Sequence, residues 1–122
     1  MTAREAEIIE LIRKEVKPAL GCTEPIAVAL AVAKAMEIIE DKCSMAASWR
    51  MNSDYRLDIQ VSGNILKNGM GVGIPGTGMV GLHIASALGA ACGKSEYGLE
   101  VLNDLDKASI AHAKEMVETK AV

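Results

Sequence analysis

Residues Pro25 to Ala33 read PIAVALAVA, a run that has no polar side chain on any face of a helix. Such a stretch has to be covered on most sides. It is far short of the ~20 residues that span a bilayer, and Lys34 interrupts it, so its cover is expected to be protein. The available cover is unusual. Half of the 122 residues are hydrophobic, yet there is no Phe, one Trp and two Tyr. Burial therefore falls to Ala, Val, Ile, Leu and Met, small aliphatics that suit helices approaching closely. With 24% charged residues the chain is globular and not disordered, and its length is that of a single domain over residues 1–122.

Local signals divide the chain. Thr2 and Glu5 fit a capping box, and Ile8, Ile9, Leu11, Ile12 and Val16 recur near helical spacing, predicting a helix from about 3 to 16. Pro18 ends it and Gly21 permits the following turn. Thr23 reads as the N-cap of the apolar helix, which runs to about Ile39 with Glu24 and Pro25 in its first turn. Tyr55, Leu57, Ile59 and Val61 alternate with polar residues, the pattern of a half-buried strand. Residues 44–51 are expected to pair with it across Asn52-Ser53-Asp54, and Met70, Val72 and Ile74 make a third, glycine-interleaved strand after the turn signal Lys67-Asn68-Gly69. A small-residue helix is predicted from about Met79 to Ala91, a short helical turn near Leu99, and a last helix from Lys107 to Glu118 capped by Asp106. The expected architecture is mixed α/β: four to five helices on a small sheet of two to three strands. That is more apolar surface than the chain covers by itself, and VETKAV ends without a cap or polar tail. The expectation is a fragment of a larger α/β enzyme.

A net charge of −3 supplies no electrostatic reason for nucleic acid or an anionic membrane as partner. The N-terminus MTAREAEIIE lacks the basic-then-apolar layout of a signal peptide, so a cytoplasmic chain is expected. Cys22, Cys43 and Cys92 are odd in number, widely spaced and without a CxxC pair, which is neither a disulfide framework nor a zinc knuckle. The apolar helix separates Cys22 from Cys43 by ~22 Å at 1.5 Å per residue, and Cys92 lies past the far end of another helix. They are not expected to share one site. Cys43 and Cys92 read as structural. Cys22 sits at a helix mouth, where a thiolate is stabilised by the dipole and the unpaired N–H groups. It is either a ligand or a packed thiol in a turn.

The segment GMGVGIPGTGMVG, residues 69–81, lets backbone N–H groups approach an anion or simply allows tight turns and close packing. It lacks the GK[ST] ending of a phosphate-binding loop. Gly76, Gly78 and Gly81 match GxGxxG, but the acidic residue about 20 positions on is ambiguous between Glu96 and Glu100. Asn64 and Lys67 place polar groups at a strand end and in a turn. His83 falls one turn into a helix near the glycines, and His112 reads as a solvated helix residue.

Two stretches together carry a resemblance. EVKPALGCTEPIAVALAVAKA (15–35) and SGNILKNGMGVGIPGTGMVGLHIASALGA (62–90) are similar to the N-terminal part of the UPF0597 family, which includes cysteine desulfidases and is related to iron–sulfur L-serine dehydratases. YGLEVLNDLDKASIAHAKEMVE (97–118) resembles the segment that follows. The resemblance implies a 4Fe–4S lyase of amino-acid catabolism, removing sulfide or water, and ammonia, from cysteine or serine to leave pyruvate. It matches Cys22 to the first cluster cysteine and implies that the others lie in a C-terminal part not contained here. The chain alone is then expected to be inactive and to bind no cluster. His83 departs from the proline of that pattern, which counts against a catalytic role. Gly76, Thr77 and Gly78 become candidates for the substrate carboxylate, and Asn64 and Lys67 for orienting it. Expected partners are a small amino acid, the missing part or a partner chain, and a second copy in a homo-oligomer. An assembly module and a small nucleotide-binding protein are the competing readings.

Overall fold

The computed structural model describes residues 1–17 and 21–122, and among them every regular element is helical. α1 (Ala3–Glu15) starts at the predicted capping box: Glu5 N–H donates to the Thr2 hydroxyl, and Thr2 N–H donates back to the Glu5 carboxylate at 2.8 Å. The helix-ending role assigned to Pro18 lies outside the described residues. α2 (Thr23–Lys42) is followed by the single turn α3 (Trp49–Asn52), α4 (Gly63–Gly69), α5 (Leu82–Cys92), a 3-10 turn (Ser95–Glu100) and α6 (Lys107–Glu118). Asp106 caps α6 as its sequence position suggests, its carboxylate accepting from Ser109 N–H at 2.7 Å.

α5 is the centre of the molecule. Leu82 and every residue from Ile84 to Ala91 are buried, with α2 on one side and α6 on another. Ile26, Ala29 and Ala33 of α2 meet Ile84, Ala85, Ala87 and Leu88, and Val101, Leu102, Ala113 and Met116 close the core. The helices meet backbone to side chain. A Cβ added at Gly89 would lie 2.5 Å from the carbonyl oxygen of Ala29. α2 is covered on most sides, as expected, with Pro25, Ile26, Val28, Ala29, Val32 and Ala33 buried, while Ala27, Ala31 and Ala35 face solvent. Alanine is small enough for that exposure to cost little.

The expected small sheet is not found among the described residues, so the α/β reading gives way to a helical fold. Residues 44–51 form a turn and the start of α3. Residues 54–61 form no regular element; they turn Tyr55 and Leu57 toward the core, yet no strand pairs with them among the described residues, and Leu57 N–H donates to Ala121 O at 2.7 Å. Period-two alternation reports an extended backbone with one apolar side, and the packing of that side on helices satisfies it as well as a sheet would. Lys67-Asn68-Gly69 ends α4 and is no hairpin turn, because Ser62 caps that helix by accepting from Ile65 N–H at 3.3 Å. The third strand reduces to one isolated antiparallel bridge between Gly73 and Val80.

One buried charge holds the helix ends together. Arg50 is 7% exposed and donates to both oxygens of Glu40 on α2 and, at 2.9 Å, to Gly93 O just after α5. Trp49 Nε1 donates to the same Glu40 carboxylate. A few residues earlier on α2, Glu37 accepts from the backbone and hydroxyl of Ser95.

Candidate functional site

The first two residues of the GCTEP motif are shaped for a helix mouth. Gly21 has φ +106°, a conformation side-chain-bearing residues rarely adopt. A Cβ there would sit 3.4 Å from Pro75 Cδ, so this turn lies against the PGTG loop although 54 positions separate them in sequence. Cys22, and not Thr23, is the N-cap of α2 (φ −72°, ψ 149°). It is exposed, and its side chain makes no capping hydrogen bond. Serine, threonine, asparagine or aspartate at this position would normally accept from a first-turn N–H group; the thiol makes no such bond.

The PGTG loop is closed from inside. Thr77 is buried; its hydroxyl donates to Ile74 O at 2.8 Å and accepts from Met79 N–H at 3.0 Å. Ile74 N–H donates to Met79 O at 3.0 Å across the loop base, and Thr77 N–H donates to Ile74 O at 3.2 Å. Gly76 (φ +83°) and Gly78 (φ +69°) form the outer rim, where a Cβ would meet nothing. Of the three loop candidates, the glycines present backbone to solvent while the Thr77 side chain is engaged within the loop.

Asn64 and Lys67 are exposed on α4 and not in a turn. The end of that helix does reach the loop region, because a Cβ at Gly69 would lie 2.5 Å from Leu82 Cδ2 in the first turn of α5. No hydrogen bond joins Asn64 or Lys67 to the loop among the described residues. His83 is exposed beside Leu82.

The other two cysteines stand apart. Cys43 is the exposed C-cap of α2, roughly 30 Å from Cys22 along the helix at 1.5 Å per residue. Cys92 ends α5, half-buried, and its thiol donates to Leu88 O at 3.4 Å. Burial pushes the Cys92 thiol above its ordinary range, with Asp106 and Asp104 adding to it against Ser109 and Arg50. Among the described residues no three His, Cys, Asp or Glu side chains lie close enough together to hold a metal ion. For a four-iron cluster the donor set therefore fits in one part only: Cys22 offers one soft, exposed ligand, and these residues do not complete the set.

Sequence reading missed two features. His112 is half-buried and less solvated than its position suggests, and its Nε2 is buried with no hydrogen-bond partner among the described residues. It lines a cleft of about 410 Å³ with Asp54, Tyr55, Glu115 and Thr119. Arg50 was also invisible, because nothing in WRMN marks an arginine that will be buried. The dinucleotide reading loses its context: GxGxxG needs a strand feeding the glycines, and none is present among the described residues. No helix is long and apolar enough to cross a membrane among the described residues.

A UPF0597 protein of Parabacteroides distasonis is 54% identical over 121 residues, 99% of this chain. This chain is a UPF0597 homologue. A UPF0597 protein of Shewanella pealeana is 50% identical over 93% of the chain, and one of Aeromonas salmonicida is 44% identical over 96%. The homology thus takes in the Cys22 mouth, the glycine loop and all six α-helices. The chain spans about a quarter of the length of these UPF0597 relatives, 24% to 26%. No family model and no solved structure matches the chain.

Proposed function

We propose that this chain is a segment of an iron–sulfur-dependent lyase that removes sulfide or water, and ammonia, from cysteine or serine to give pyruvate, and that it contributes Cys22 as one cluster ligand. The supporting observation is the mouth of α2: an exposed thiol at the N-cap, free of capping bonds, set beside the PGTG loop by the Gly21–Pro75 contact. A bound cluster with one open iron supplies a Lewis acid for the substrate's carboxylate and leaving group. The chain's own residues bind and orient. The α2 N-terminus favours negative charge, and Gly76 and Gly78 present backbone to a carboxylate. Lys67 and Asn64 on α4 are the side chains proposed to fix its orientation. The remaining cluster ligands and the base that takes the α-proton belong to the three quarters of a UPF0597-length protein that this chain does not span.

The test uses a full-length protein carrying this segment, prepared without oxygen. Cys22→Ser is expected to remove the visible sulfur-to-iron charge-transfer absorption and the formation of pyruvate while thermal unfolding stays unchanged, since a hydroxyl fills the space but binds iron poorly. Cys43→Ser and Cys92→Ala are expected to keep both. A full cluster and full turnover in Cys22→Ser would overturn the proposal.

A further inference from the structure

α1 is a well-made helix that packs against no other element among the described residues. It has a complete capping box at one end and basic residues Arg13 and Lys14 in its last turn, yet it buries no residue. Ile8 (47% exposed), Leu11 (58%), Ile12 (53%) and Val16, which follows the helix, (69%) are all open to solvent, and Ile9 is 37% exposed. No other element of the fold leaves so many large aliphatics uncovered in one place: on α5, by contrast, His83 is the exposed residue between Leu82 and Ala91. A contiguous apolar face of this kind marks an interaction surface.

The geometry points to the kind of partner. At 100° per residue, Leu11, Ile8, Ile12, Val16 and Ile9 sweep roughly 160° of the helix circumference. A two-stranded coiled coil of two copies uses a narrower seam of alternating three and four spacings, whereas a stripe this wide is what a helix presents when it lies in a groove of a globular body. The homology supplies such a body. The Parabacteroides distasonis relative matches 121 residues of this chain, α1 included, and is about four times as long, this chain being 26% of it. We infer that α1 docks through Ile8, Ile9, Leu11, Ile12 and Val16 into an apolar groove on the remaining three quarters of a UPF0597-length protein. The inference does not depend on the lyase reading, because it rests on exposure and length and involves neither Cys22 nor the glycine loop.

Hydrogen–deuterium exchange tests it on two proteins: this 122-residue chain and the full-length Parabacteroides distasonis UPF0597 protein. In the short chain, amides of 3–15 are expected to exchange at least tenfold faster than those of α5. In the full-length relative, the matching segment is expected to be protected nearly as well as the α5 segment. Equal, fast exchange of that segment in the full-length protein would overturn the inference. Sedimentation of the short chain separates the other occupant: a monomer is expected, and a dimer dissolved by Leu11→Glu would show that a second copy covers α1 and that the inference is wrong. Leu11→Glu is also expected to leave the thermal midpoint of the short chain unchanged. A marked fall would mean that α1 is already packed there, which equally refutes the inference.

Discussion

Thr77 illustrates how a side chain that reads as a binding group can instead be spent inside a loop. Its hydroxyl bridges Ile74 O and Met79 N–H, and Pro75, inside the same loop, lies against Gly21 next to Cys22. The shape of the α2 mouth therefore depends on an atom that does not face it. Thr77→Val keeps the volume but leaves Met79 N–H without that acceptor, and an unpaired buried donor costs about 1–3 kcal/mol. The expected outcome is an unfolding free energy, measured in urea, lowered by about 1–3 kcal/mol, with Thr77→Ser restoring most of it. A Val variant as stable as the parent would show that the loop is held by its backbone bonds alone. Cys22 is the converse case. The N-cap residue of α2 makes no capping bond, and its position there separates it from Cys43, which is also exposed, at the other end of the same helix.

At the scale of elements, the pairing of α2 with α5 sets the fold. Small residues bring the two backbones together, with Gly89 over the Ala29 carbonyl and Gly93 against Ala33, where a Cβ would meet the Ala33 methyl at 2.8 Å. A fixed backbone atom cannot yield as a flexible side chain can. Gly89→Ala is thus expected to destabilise the fold by about 1–3 kcal/mol through overpacking, although alanine has the higher helix propensity. Chemical denaturation checks the sign: a gain in stability would mean that propensity outweighs the close contact. Where the neighbour is the end of a side chain, as Leu82 is for Gly69, the strain of an added methyl is more easily relieved.

For the whole molecule, polar ties between distant helix ends fasten a core built of small residues. Burial raises the pKa of Glu37, but the hydrogen bonds from the Ser95 hydroxyl and N–H outweigh it, helped by Lys34 and Arg50, and the net direction is below the ordinary value of 4.5. A carboxylate held low in the folded state stabilises the fold above its unfolded pKa, and that contribution is lost as pH falls through the folded value. Stability should therefore decline on acidification below the ordinary carboxylate range. Glu37→Gln should lower stability at neutral pH and narrow its gap to the parent in acid. A gap that stays constant with pH, measured by thermal unfolding, would show that the charge of Glu37 does not tie α2 to the 3-10 turn.

What the sequence determines by itself is local. The Thr2–Glu5 box, the Asp106 cap and the helical periodicity of 107–118 involve residues three or four positions apart, so composition and spacing carry all the information needed, and those helices form where expected. The alternation in 54–61 pointed Tyr55 and Leu57 inward, as found, but the strand expected there is absent among the described residues and Ile59 is exposed. The tertiary structure alone decided what that segment would lie against. Alternation carries the direction of side chains and not the identity of the group that takes up backbone hydrogen bonds, so helices stand where a sheet was expected. Burial of a whole helix was equally beyond local reading: α2 and α5 are both rich in small apolar residues, and only the position of α5 between α2 and α6 makes it the one covered all round. The candidate site divides the same way. Gly21 and Cys22 announce a turn and a helix mouth, but their meeting with Pro75 bridges 54 positions of sequence, and only the folded chain brings them together.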